Sequence, residues 1–396
     1  LVLLYLIKST ALLFQPRDKV LSLDRLGLTL YFTLWPGIDP APFERRVVNE
    51  PEDVRMIRGA VFAAMGIALG ILTALAAPYA APQLIGALGI AAFLLCLHFG
   101  FADILTFAVQ SIGFPVTPLF DAPWRSRSLR DFWSRRWNRA FVEMDTLLFW
   151  PTLRRYLSTR NALFGVFIIS GLLHEGGLSY PAWGGWGLPL IYICLHGFLV
   201  ALEVRWRIEK KWPRCLAHLW SYFWILVPLP LLFHAPFRET VVAPLFVALH
   251  NVITQPLEWW FSLALRLAAI GHGCILMASF QVPSRLKWHK DLQKLSPFNR
   301  KIMWNYGAFI VMLILAFGAL TWFLHAEMMR GDRAALGLAL LIGGFWSARV
   351  LVDFFYFKQE DWPRGPLFVV GHVLLTGLFI ALASTYLGLV IWHDIR

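Results

Sequence analysis

The chain has 396 residues, of which 58% are hydrophobic and only 15% charged, with a mean hydropathy of +0.60. Soluble domains carry roughly 45–50% apolar and about 25% charged residues, so this balance excludes both an ordinary globular protein and a disordered one. The formal net charge is +12, but the Lys and Arg residues sit in short loops between apolar stretches. That is the charge pattern of membrane topology rather than of a nucleic-acid surface. An all-α, polytopic bundle of transmembrane helices follows, because a helix satisfies its own backbone polar groups inside lipid.

The apolar spans come in order. Residues 1–14 and 26–36 are short and read as interfacial or tilted, the opening LVLLYLIK as a truncated first helix, since no small-residue cleavage site follows it. Residues 59–79 are rich in Ala and Gly, as helix contacts in lipid prefer. A long span covers about 84–113. Further spans run over 161–180, 188–204, 217–233, 259–282, 302–324, 335–357 and 366–392, near the roughly 20 residues that a helix needs to cross a bilayer. Segment 241–254 is too short to cross and reads as interfacial or re-entrant.

The loops 44–58, 121–160, 205–214, 285–301 and 358–364 are basic and share one side if each long span crosses once, which makes that side cytoplasmic. The three prolines and broken apolar run of HAPFRETVVAPLFVALHNVITQPLEWW mark a seam near residue 250. The expected organisation is a 1–250 domain followed by a four-helix transmembrane unit at 251–396. The cysteines Cys96, Cys194, Cys215 and Cys274 show no paired spacing and read as buried thiols, not as disulfides or a metal site.

Two segments carry chemistry. Between Arg125 and Arg160 lie nine arginines, and within this stretch residues 128–141 read SLRDFWSRRWNRAF. An amphipathic interfacial helix rich in Trp and Arg is the plain reading, yet it gives no reason for Asn138 beside Trp137. The second segment, residues 164–178, reads FGVFIISGLLHEGGL. Here His174 and Glu175 interrupt an apolar run about 13 residues past its start, roughly 20 Å deep at about 1.5 Å per residue. An ionisable group at such depth marks a polar cavity or functional site unless a neighbouring helix satisfies it. The nearby Ser170 and the glycines favour the cavity.

Together, DFWSRRWN and SGLLHE resemble the membrane-bound O-acyltransferase superfamily, in its wax-synthase-like branch. The resemblance covers about residues 1–250, with WPGIDP at 35–40 and FHAPF at 233–237. It implies that His174 is the catalytic histidine and Asn138 its partner, with Trp133, Trp137, Arg135 and Arg136 binding substrate and Ser170 and Glu175 supporting His174. It further implies acyl-CoA as co-substrate, with no resident cofactor or metal. A neutral histidine suits the removal of a hydroxyl proton as it attacks a thioester. An asparagine amide stabilises developing oxyanion charge without placing a full charge in the cavity. Guanidinium groups match the phosphates of CoA.

Relatives that acetylate polysaccharides usually carry histidine where this chain has Asn138, so the pattern leans towards a lipid alcohol acceptor within membrane lipid. Two alternatives stay open: a polysaccharide or other polar acceptor, and a non-enzymatic transporter or lipid-binding scaffold. In the C-terminal part His272, His325, His372 and the Arg349/Asp353 pair at i, i+4 are buried-group candidates. Three histidines on different helices are able to ligate haem or a metal, and satisfied structural histidines are the plainer reading. The identity of the acyl chain and acceptor, the role of residues 251–396 and the oligomeric state are not legible.

Overall fold

The computed structural model describes residues 2–15, 22–47, 53–356 and 366–396. It is 83% helical, and no strand occurs among the described residues. The basic stretch 358–364 lies outside them, as does part of 44–58.

Nine helices among the described residues are long and apolar enough to cross a membrane. The chain is therefore an integral, multi-pass membrane protein. Outward-facing apolar surface supports this: in the helix Asp53–Ala76 only 22% of the most apolar window is buried within the protein. Leucines and isoleucines such as Ile67 and Leu72 point outward, where water would penalise them and lipid does not.

The described residues divide into two compact units, Leu1–Ile253 and Thr254–Arg396. In the first, α1 (Val2–Leu13) and α2 (Arg25–Thr33) are short. The spanning helices α3 (Asp53–Ala76) and α4 (Pro82–Ser111) follow. A stretch holding a short helix at 129–136 then leads to α5 (139–156), made of α-helical turns on either side of a π-helical turn at Asp145–Phe149. After it come α6 (Thr159–Ala182), α7 (Leu188–Trp206) and α8 (Arg214–Leu232). The unit ends with α9 (Ala243–Ile253), which continues without a break from a π-helical turn at Phe237–Val242.

Close packing without a hydrophobic drive explains the small residues. A Cβ added to Gly66 of α3 would lie 2.4 Å from the Cys96 nitrogen of α4, so only glycine allows that approach. Gly171 plays the same part between α6 and α7, where a Cβ would meet Leu190 at 2.6 Å. That contact sets the spacing of the two helices that later supply His174 and the opposite wall.

The second unit is a four-helix bundle: α10 (Leu257–Arg285), α11 (Pro297–Phe323), α12 (Arg333–Phe355) and α13 (Pro366–Ile395). Its core gathers Phe317, Ile342, Trp346, Phe379 and Tyr386. His272 is satisfied inside this core. Its Nδ1 lies 2.7 Å from the Ala268 carbonyl and its Nε2 accepts from Trp346 Nε1 at 3.1 Å. Arg349 and Asp353 pair at 3.1 Å, and Asp353 also takes the Thr376 hydroxyl at 2.6 Å and His372 at 3.2 Å. His325 Nε2 meets Ser262 Oγ at 3.1 Å. The three histidines thus have separate partners, and no cluster of metal-ligating side chains occurs among the described residues.

Candidate active site

Most of the DFWSRRWN segment lies in one short helix, α-helical at Leu129–Asp131 and π-helical at Phe132–Arg136, whose first N–H groups are held by side chains. Ser128 caps the turn Leu129–Asp131 by accepting from the Asp131 nitrogen at 2.9 Å. The buried Glu203 of α7 accepts from the nitrogens of Leu129 at 2.8 Å and Arg130 at 3.0 Å, and from Trp220 Nε1 at 2.8 Å. A carboxylate at a helix N-terminus satisfies N–H groups that no intrahelical carbonyl can reach. Glu203 thereby fastens the motif to α7.

Past the turn, the chain reverses at Asn138, which adopts the left-handed conformation with φ of 42°. Asparagine is among the few non-glycine residues that visit this region at small cost. The reversal starts α5, and Asn138 makes no capping hydrogen bond with its side chain, so the amide stays available.

A cavity of about 500 Å³ lies beside this reversal, within the usual range of small-molecule sites. One wall is α5, through Asn138, Phe141, Val142, Asp145, Thr146 and Trp150; the facing wall is α6, through Leu163, Val166, Phe167, Ser170 and His174. Both sets recur at intervals of three and four, so each is one helix face. Ile193, Val200 and Val204 of α7 close the apolar side, and Arg130, Trp133, Ser134 and Trp137 complete the lining.

Within the basic loop expected at 121–160, residues 139–156 are instead helical and form a wall of the cavity. The arginines at its ends mask a stripe of alternating apolar and small polar residues. Pro151, which cannot donate to the preceding turn, stands in the first turn after the π segment.

His174 closes the α-helical part of α6, just before a π-helical turn at Glu175–Ser179. Its Nδ1 lies 2.7 Å from the Ser170 carbonyl oxygen. A carbonyl only accepts, so in the neutral ring Nδ1 carries the proton and Nε2 keeps its lone pair. The ring packs against Phe141 with centroids 5.4 Å apart.

Asn138, His174, Ser170, Trp133 and Trp137 are thus brought to one cavity. The two tryptophans are held from behind. Trp133 Nε1 donates to His196 Nδ1 at 2.9 Å, and His196 Nε2 in turn faces the Trp224 carbonyl at 2.9 Å. Trp137 stacks on His98 and Phe132.

The other expected residues lie elsewhere. Arg136 binds the Asp131 carboxylate at 2.7 Å and the Asp121 carbonyl at 3.2 Å, outside the cavity wall. Arg135 is exposed and also outside it, and Arg130 is the arginine that lines the cavity. Glu175 turns towards α7, where Oε1 accepts from the Leu190 nitrogen at 3.0 Å.

The stretches WPGIDP and FHAPF also have structural work. In WPGIDP, the nitrogens of Ile38 and Asp39 donate to Glu143 Oε2 at 2.8 and 3.1 Å. Burial raises the Glu143 carboxyl, and those two hydrogen bonds oppose the rise. In FHAPF, His234 Nδ1 accepts from the Phe237 nitrogen at 3.2 Å, leaving Nε2 to meet Ser179 Oγ at 3.2 Å. Burial lowers the His234 pKa, and the Glu175 charge partly offsets this.

Residues 116–187 match the model of the membrane bound O-acyl transferase family. The match spans both walls of the cavity. A long-chain-alcohol O-fatty-acyltransferase of Simmondsia chinensis is 31% identical over 130 residues, covering 28% of this chain and 36% of that enzyme. Over this part of its length the chain is similar to the wax-synthase-like branch of the membrane-bound O-acyltransferases. Among its other relatives in this family, an acyl-CoA–sterol O-acyltransferase of Arabidopsis thaliana is 28% identical over 134 residues, 28% of this chain and 38% of that enzyme. A probable alginate O-acetylase of Pseudomonas fluorescens is 28% identical over 151 residues, 35% of this chain and 28% of the relative. The aligned stretches span about a third of each plant relative. No solved structure matches the chain significantly.

Glu203, His196, His98 and Asp145 went unnoticed in the sequence. A lone polar residue in an apolar helix has no local signal for which neighbour it will meet. For Glu203 a hint existed, since a carboxylate within a span needs a partner.

Proposed function

We propose that this protein moves a fatty acyl group from acyl-CoA to the hydroxyl of a lipid alcohol. The observation that carries the reading is the His174–Ser170 hydrogen bond beside Asn138, in an otherwise largely apolar cavity. His174 Nε2, with its lone pair, takes the proton of the alcohol as the hydroxyl oxygen attacks the thioester carbonyl. The Asn138 amide donates to the oxyanion of the tetrahedral intermediate. The C–S bond then breaks, and the proton on Nε2 passes to the departing CoA thiolate. No covalent enzyme intermediate is required.

Arg130 at the cavity and the exposed Arg135 suit the phosphates of CoA, in keeping with a cytoplasmic basic side. The apolar surfaces of α6 and α7 in the cavity suit an acyl or alkyl chain better than a sugar, which favours the lipid alcohol over a polysaccharide. The long-chain-alcohol and sterol acyltransferase activities of the Simmondsia and Arabidopsis relatives support the same acceptor class.

The test offers the purified protein acyl-CoA and a long-chain alcohol and follows free thiol and ester together. Equal release of both by the wild type, lost in His174→Ala, is the expected result. Full turnover by His174→Ala overturns the assignment of the base.

A further inference from the structure

Asp145 is the one acidic side chain in the cavity wall. Its Oδ1 is sealed from solvent and has no hydrogen-bond partner among the described residues. Leaving a carboxyl group without partners in an apolar setting is costly, so a side chain in this state in a cavity wall asks for a donor from the ligand, met at its other oxygen and not at the sealed Oδ1. Burial pushes its carboxyl up to about 7, with no neighbouring charge to oppose this.

Its position says where that donor must be. Asp145 follows Phe141 by one helical turn on the same face, a rise of about 6 Å, and the Phe141 ring touches the His174 ring. The carboxylate therefore stands a turn away from the reacting carbon, too far to act on the transferred proton. In a simple long-chain alcohol that place is occupied by methylenes, which offer nothing to a carboxylate.

We propose that Asp145 anchors an N–H or O–H group of the substrate lying about one helical turn from the reacting carbonyl. The inference rests on the acyl-transfer reading of this cavity and deepens it. Two substrate sources carry such a donor: the pantetheine amide nearest the sulfur of acyl-CoA, and a second hydroxyl on the acceptor. Either would make Asp145 a specificity-determining residue, distinct from the base and the oxyanion donor.

The experiment uses the full chain in detergent and reads binding, so it needs no turnover. Trp133, Trp137 and Trp150 line the cavity, and their fluorescence reports titrations of a palmityl-CoA thioether, a long-chain vicinal diol and the matching mono-alcohol. A lost hydrogen bond to a charged group predicts roughly tenfold to a hundredfold weaker binding. If Asp145→Leu weakens the thioether by that factor, the anchored donor is the amide of CoA. If it weakens only the diol, and not the mono-alcohol, the donor is the second hydroxyl.

Affinities for both ligands within twofold of the wild type overturn the proposal, as does a wild type that binds neither. Should Asp145→Leu fail to elute as a single species, Asp145→Asn keeps the size and predicts a loss of roughly threefold; no loss overturns the proposal equally. Absence of acyl transfer by a wild type that binds these ligands through Asp145 would count against the proposed reaction and not against this anchor.

Discussion

The Nδ1 atom of His174 lies 2.7 Å from the carbonyl oxygen of Ser170, one turn earlier on the same helix. Because the partner is backbone, the tautomer of the ring is set by the fold of α6 and not by another titratable side chain. In the neutral ring the proton sits on Nδ1 and Nε2 keeps its lone pair, as the proposed base needs. A serine side chain is dispensable in this scheme, while the histidine is not.

His174→Ala should lower kcat by roughly 10²–10⁴-fold, the usual contribution of a positioned general base. Ser170→Ala, which retains the carbonyl, should keep kcat within about threefold, since neutral surface-type changes cost little. Rates at saturating acyl-CoA check both. A Ser170→Ala variant as inactive as His174→Ala would mean that the hydroxyl, not the carbonyl, orients the ring.

Asn138 combines a left-handed backbone with a side-chain amide, and glycine separates the two. Asn138→Gly retains the reversal at φ 42° and should fold, yet lose about 10²–10³ in kcat with the oxyanion donor gone. Asn138→Ala should lose the same activity and also about 1–2 kcal/mol of stability through backbone strain. Thermal unfolding in detergent, read beside the kinetics, distinguishes these outcomes.

Glu203 holds three donors at once, from Leu129, Arg130 and Trp220. Glu203→Ala strands all of them, and the expected loss is roughly 3 kcal/mol, at the scale of a broken buried network. Glu203→Gln keeps an acceptor and should recover about half. The melting temperature reports this directly; equal melting of the alanine variant and the wild type would show the motif to be anchored by other contacts.

The arginines divide by partner. Arg136 is committed to Asp131 and the Asp121 carbonyl, so Arg136→Ala should lower the melting temperature. Arg130 lines the cavity, and Arg130→Ala should raise the KM for acyl-CoA roughly tenfold, the scale of one charged hydrogen bond. A raised donor KM in Arg136→Ala at unchanged stability would return phosphate recognition to that residue.

Asp145 predicts a pH dependence whose sign follows from its raised pKa. The unfolded chain releases this proton near 3.8, the folded chain only near about 7. Between these values the unfolded state binds fewer protons, so stability falls as pH rises, by up to about 4 kcal/mol from this group alone. The raised Glu143 carboxyl adds a slope of the same sign. Asp145→Asn should be the more stable form at pH 8 (roughly one unit above the folded value) and match the wild type at pH 4. Melting curves across that range check it, and identical slopes for the two proteins would refute the buried-acid assignment.

The amino-acid sequence by itself determined the membrane helices. Each span between Asp53 and Ile395 was visible as a run of apolar residues because crossing a bilayer is a local demand on about 20 consecutive positions. The pairing of DFWSRRWN with SGLLHE likewise pointed to Asn138 and His174 before any coordinates. What only the tertiary structure decided was which side chains share a space. Arg130 faces the cavity while Arg136 faces Asp131, though both stand in one short motif. Asp145 lines the cavity from α5 and Glu203 fastens the motif from α7, each with no signature of its own. Spanning is a property of a segment, whereas a cavity is made by faces that meet from helices far apart in the chain, and those meetings are set by packing, such as the approach of α6 to α7 that Gly171 permits.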